Sequence, residues 1–188
     1  IGKDASATKL STMARLNNIE HISIIFDPAL AREKMNEGNN VIYGDAVNVP
    51  IQKKAHADTA DIVVVSIGSL IPSMAIIEKG RTINKGAFII ARATLLRNVE
   101  LLYKSGADQV VPEKLEIAID LLNRILVQRL IPQKEVNRIL THIRNTSLGE
   151  FSVKDLINQP SILDELPNIS ISAVTVEEGS VAGNKSLI

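Results

Sequence analysis

The sequence contains no cysteine. That removes disulfides, thiolate zinc sites and cysteine nucleophiles, and it fits a reducing compartment. Net charge is also missing: 21 basic residues balance 21 acidic ones, so no surface for nucleic acid or an anionic membrane is expected. No apolar run reaches the roughly 18 residues of a membrane span. No secretory leader precedes the first turn, and the segment reads as soluble. Glycine is scarce where it would count most. The chain opens "IGKDASATKL" and runs into "HISIIFDP", the layout of a dinucleotide-binding turn. Of the three glycines such a turn uses, only Gly2 is present.

What is present is a repeating strand–helix pattern. At 188 residues and 45% hydrophobic, the chain can bury one full domain plus an appendage. Short β-branched runs at 21–26, 40–44, 61–68, 87–92 and 108–111 are bounded by Gly, Asn, Asp or Pro and read as buried strands. Helical segments are expected near 5–17, 28–37, 49–55, 70–84 and 94–105. Asp27-Pro28 makes a helix start, and Gly38 and Gly106 stand where helices should stop. Near-continuous apolar strands joined by helices predict an α/β fold: a Rossmann-like, doubly wound parallel sheet covered on both faces. Ile1 reads as the end of a first, truncated strand, and "VAGNKSLI" stops within an element.

A long helix is expected over 112–130. Its apolar residues at 115, 118, 119, 122, 125 and 126, widened by Ile117 and Leu121, exceed what one side of a sheet needs. Such a helix either only packs on the sheet or also serves a partner subunit. Pro132 opens another, with Val136, Ile139, Leu140 and Ile143 on one stripe. The expected division is a Rossmann-like domain at 1–130, a helical connector at 131–168 and the start of a second small domain at 169–188.

The glycine substitutions have physical consequences. Gly2 keeps the tight turn, Ala7 is a mild change where helix and strand pack, and Asp4 replaces the glycine that lets backbone approach the pyrophosphate. Two like charges about 4 Å apart at an effective dielectric near 20 repel by roughly 4 kcal/mol. That would remove most of a micromolar affinity. Counting on from Ala7, the ribose-binding acid should fall near Ile25, and Asp27 lies two residues later on the same strand face. Asp27 also has a sufficient role as a helix cap. NAD-dependent hydride chemistry is therefore disfavoured.

The motifs "VIYGDA" (41–46), "DIVVVSIG" (61–68), "FIIARA" (88–93) and "SGADQVVPE" (105–113) occur in order. Together they resemble the RCK domain, also called TrkA-N or KTN, which regulates potassium channels and transporters. "RLIPQKEVNRILTHIR" (129–144) is similar to the segment after that domain in Kef-type monovalent cation/proton antiporters. "VTVEEGSVAGNKSL" (174–187) resembles the start of an RCK-C (TrkA-C) domain. The resemblance implies a cytosolic, non-enzymatic gating module at the cytoplasmic face of the cell membrane. It implies a homodimer attached to a membrane-embedded cation transport domain, with no nucleic-acid partner. AMP or another adenine nucleotide is the implied ligand, with NAD(H) disfavoured by Asp4.

Carried over by position, Gly2, Asp4 and Ala7 occupy the phosphate turn, and Asp27 the ribose end. Gly44, Asp45 and Ala46 match the turn beside the adenine, or form a plain strand-to-helix turn. Ser66, Ile67 and Gly68 end the strand beneath the nucleotide. Arg92 would meet a phosphate or a partner's carboxylate, unless it is a plain surface arginine, and Glu113 would cap the long helix or pair across the dimer. Calcium-gated relatives carry acids around the segment that reads "ARAT" (91–94) here, so no calcium site is expected.

Three competing readings remain. An enzyme is disfavoured because His21, His56 and His142 lie in separate elements with no serine or aspartate arrangement suggesting a base. A separate regulatory subunit of a potassium uptake system, or a nucleotide-blind dimerisation block, would share the same fold.

Overall fold

The structure, a computed structural model, describes residues 5–147. The five β-branched runs become five short strands: β1 (Ser23–Ile25), β2 (Val41–Tyr43), β3 (Ile62–Val65), β4 (Phe88–Ala93) and β5 (Gln109–Pro112). Between and around them lie α1 (Ala5–Leu16), α2 (Pro28–Asn36), α3 (Val49–Lys54), α4 (Leu70–Ile83), α5 (Val99–Lys104), α6 (Glu113–Gln128) and α7 (Gln133–Ser147). Every pairing is parallel, as strands joined through helices must be. β1 pairs with β2, and β3–β4–β5 form a second ladder. The two sheets share one core. Ile24 of β1 and Ala46 join Val65, Ile89, Ala91, Ala93 and Val110, under Ile76 and Ile77 of α4 and Val99 and Leu102 of α5.

Strand alternation decides what faces that core. Ile89, Ala91 and Ala93 of β4 are buried against α4 and α5, so Phe88, Ile90 and Arg92 point to the opposite face. The α6 helix buries Leu115, Ile119 and Leu126, and α7 sets Val136, Ile139 and Leu140 against it. Arg144 reinforces that packing with two bonds to Glu116, at 3.1 and 3.0 Å. On its outer side α6 leaves Ile117, Leu121 and Ile125 exposed.

Two expected helices change at their ends. The segment 94–105 does not start as an α-helix: Leu95 stays extended, Leu96–Asn98 form a 3₁₀ turn, and α5 begins only at Val99. The helix expected over 112–130 stops at Gln128. Leu130 adopts φ +59° there, with Leu130 N bonded to Val127 O and Ile131 N to Leu126 O. The same paired bonds close α1, α2, α3 and α5 around Asn18, Gly38, His56 and Gly106.

At the amino-terminal end of the larger sheet one arginine ties two loops to α4. Arg81, in the last turn of α4, donates to the carbonyls of Lys85, Ala87 and Gly106 and pairs with Asp108. Asp108 in turn accepts from Ile89 N at 2.7 Å. That amide, and then Arg81, hold the Asp108 carboxyl below its ordinary pKa against the opposing effect of burial.

Among the described residues no helix is long and apolar enough to cross a membrane. The described residues fall within one compact unit, Ile1–Leu148. The strand expected at Ile1, residues 148–168 of the connector and the start of a second domain lie outside the described residues.

Candidate functional site

In a parallel sheet all strands end on one side, and loops leaving the carboxyl ends line any ligand crevice. From Asp27 onward the expected site residues fall into two groups at those ends. The first closes β1 and β2. Gly44 N donates to Ile25 O at 3.0 Å, carrying the ladder one residue beyond Tyr43. Asp27 caps α2: its Oδ1 accepts from Ala29 N at 3.0 Å and Leu30 N at 3.1 Å, ahead of Pro28. Asp45 Oδ1 accepts from Val47 N at 2.9 Å and its carbonyl accepts from Asn48 N at 3.0 Å, which fixes the turn into α3. Ala46 is buried in the core. Gly44 has a packing reason as well, since a Cβ there would lie 2.7 Å from Ile51 Cδ1. Each of these residues therefore carries a local structural duty alongside any contact with a ligand.

The second group closes β3, β4 and β5. Ser66 is buried, Ile67 packs on the core with its carbonyl accepting from Ser73 Oγ at 3.3 Å, and Gly68 emerges at the surface. A Cβ on Gly68 would lie 3.7 Å from Arg92 Nη2 and 3.8 Å from Thr94 Oγ1, so these three residues are neighbours. Register explains why Arg92 meets Glu113. Arg92 pairs with Val111, which sets it beside the end of β5, where α6 opens with Glu113 two residues on. Arg92 Nη1 donates to Glu113 Oε2 at 3.2 Å, within the same chain. No side chain caps the start of α6, where Glu113 stands, the preceding residue being Pro112.

Thr94 was not singled out as a ligand-side residue. Its hydroxyl donates to Gly68 O at 3.3 Å and ties the ends of β3 and β4 together. The available signal was its spacing, two residues beyond Arg92 and so on Arg92's side of the strand. Gly2 and Asp4 lie outside the described residues. Ala7, on α1, lines a cavity of about 40 Å³ with Thr8, Ser11 and Ser23. A larger opening of about 370 Å³ lies between α3 and α4, lined by Lys53, Asp58 and Lys79 among others. Neither is lined by Gly44, Gly68, Arg92 or Glu113.

One histidine has a neighbour that its sequence position concealed. Ser11 Oγ lies 2.7 Å from His21 Nε2, brought there by α1. The Ile19 carbonyl, 2.9 Å from Nδ1, can only accept, so Nδ1 carries a proton, and in the neutral ring Nε2 accepts from Ser11. The imidazole is oriented by a backbone carbonyl rather than a carboxylate, and the contact ties α1 to the entry of β1. His56 is exposed at the left-handed end of α3. Among the described residues no group of three His, Asp or Glu side chains could hold a metal ion.

The TrkA-N domain family matches residues 5–113, from the start of α1 to Glu113. The chain belongs to that family. This TrkA-N chain is also 22% identical over 169 residues, 90% of its length, to an Alkalimonas amylolytica protein that carries the name K(+) efflux antiporter KefB. It spans 25% of that relative's length. The crystal structure of the TrkA-N domain of the inner membrane protein ybaL from Escherichia coli is similar at 27% identity and a TM-score of 0.59. The likeness covers 61% of this chain and 85% of that one. The Kef CTD of Shewanella denitrificans in its AMP-bound form shares the fold, at 20% identity and a TM-score of 0.51, over 69% of this chain and 93% of that one. The Rossmann-like α/β fold expected from the alternating pattern is the fold of this family's solved members.

Proposed function

We propose that this TrkA-N chain is the regulatory part of a Kef-type potassium/proton antiporter, held at the cytoplasmic face of the membrane and responsive to an adenine nucleotide. The observation that carries the reading is the cluster at the carboxyl ends of β3–β5. There an exposed glycine, a hydroxyl and an arginine converge where ligands of doubly wound sheets bind. The family match, the KefB relative and the AMP-bound Kef domain support it. In this reading Gly68 and Arg92 face the phosphate side, Gly44 and Asp45 the adenine, and Asp27 the ribose. Asp4 favours AMP over dinucleotides by placing a carboxylate where a second phosphate would sit. The domain binds rather than transforms its ligand. It works as a homodimer through the outer face of α6, where Ile117, Leu121 and Ile125 form an exposed apolar stripe. Residues 131–168 connect it to a second small domain beginning near residue 169, and the transport domain belongs to the same full-length protein.

Thermal unfolding with AMP, ADP, ATP, NAD and NADH tests the ligand. At 100 times its dissociation constant a ligand adds about 2.7 kcal/mol of apparent stability. A shift with AMP that extends to NAD only in Asp4→Gly is expected. No shift in either form would leave dimerisation as the module's role. Leu121→Glu should convert a dimer to a monomer in light scattering, and an unchanged mass would remove α6 from the interface.

A further inference from the structure

Arg92 and Glu113 link the carboxyl ends of β3–β5 to the helix proposed to face a partner. Arg92 is 14% exposed and Glu113 36%, and their bond of 3.2 Å is long for a charge-assisted pair, which prefers about 2.7–2.9 Å. The Nη2 side of the same guanidinium faces Gly68, within reach of anything seated on that glycine. Glu113 is the first residue of α6, and no side chain caps that end. A force on Glu113 is therefore a force on the first turn of the helix that carries Ile117, Leu121 and Ile125 on its outer face.

We propose that Arg92 is a cation shared by two competing anions, Glu113 and the phosphate of a ligand in the crevice, and that exchange between them reports occupancy to the first turn of α6. The proposal rests on the nucleotide reading above. A phosphate monoester offers a guanidinium two oxygens in fork geometry, against the long bond to Glu113. When the phosphate takes Arg92, Glu113 loses its partner and the start of α6 loses its tie to β4. A ligand shifts such an equilibrium only by its differential affinity for the two arrangements. The competitor's charge must therefore weaken binding of the phosphate and leave the nucleoside untouched.

Calorimetry with AMP and adenosine on the 188-residue chain tests this, together with amide exchange at Ile117–Ile119. These are the first amides to bond back into the first turn of α6. Glu113→Gln should bind AMP about fivefold tighter or more, with Arg92→Gln weaker by a similar factor and adenosine alike in all three. Glu113→Ala, checked for an intact thermal transition, should repeat the gain. AMP should speed exchange at Ile117–Ile119 in the native chain and leave it unchanged in Glu113→Gln. If AMP binds the native chain but Glu113→Gln gains nothing, or if α6 exchange ignores AMP, competition at Arg92 is overturned and the nucleotide reading stands. If AMP binds no form of the protein, both fall together.

Discussion

Two arginine–carboxylate pairs sit at opposite ends of the same three-stranded sheet, and they are built for different work. Arg81 at the amino-terminal end directs its donors at backbone carbonyls of Lys85, Ala87 and Gly106 as well as at Asp108. Asp108 also holds the Ile89 amide. Nothing there can let go without stranding main-chain groups. At the carboxyl end Arg92 meets a side chain, Glu113, through a longer bond beside an exposed glycine. The first pair locks loops in place. The second joins two side chains, the arrangement the proposed exchange requires.

Stability should separate the two pairs most sharply. Arg81→Ala removes charged donors from several part-buried carbonyls and should cost about 2 kcal/mol, or roughly 4–8 °C in Tm. Glu113→Gln should cost less than about 1 kcal/mol, because a long bond to a carboxylate more than a third exposed is worth little. Urea unfolding of both variants measures the difference. Equal losses would mean that the carboxyl-end pair is structural as well.

The glycines beside each arginine sharpen the contrast further. Gly106 has φ +108°, a conformation that side-chain-bearing residues rarely adopt, so Gly106→Ala should destabilise by about 1–2 kcal/mol. Gly68 carries no such strain, and an added methyl meets Arg92 and Thr94 only at ordinary contact distance. Gly68→Ala should therefore unfold within about 0.5 kcal/mol of the native chain, while AMP affinity falls as the methyl takes the space proposed for the phosphate. A Gly68→Ala protein that keeps its AMP affinity would move the phosphate away from this end of β3.

How much of this was legible in the sequence depends on range. The five strands and their helices follow from local alternation and breakers, and Gly38 and Gly106 mark their helix ends as expected. Asn18, His56 and Leu130 end helices in the same left-handed way, with no glycine to announce it. Leu130, 90% exposed, is the least expected of them. Thr94 reaches Gly68 across 26 residues, a contact no local pattern announces. The Arg81 lock spans up to 27 residues and leaves no local pattern at all. Of the site, the "SIG", "AR" and "PE" segments were legible as separate motifs. That Gly68, Arg92 and Glu113 meet follows only from the register of β3, β4 and β5.

The smallest expected effect concerns acid. Asp108's carboxyl is held below its ordinary value of 3.8, first by the Ile89 amide and then by Arg81. A carboxylate whose pKa is depressed on folding binds fewer protons in the native state than in the unfolded one. Its stabilisation is complete above the unfolded value and disappears as pH falls through the folded one. The gap in urea midpoint between the native chain and Asp108→Asn should therefore be widest near neutrality and narrow as pH falls from about 5 toward 3. A gap that stays constant across that range would mean that Asp108 acts at Ile89 and Arg81 by shape and hydrogen bonding alone, with no contribution from its charge. The amino-terminal lock would then differ from the Arg92–Glu113 pair in kind, because the exchange proposed at the carboxyl end requires charge.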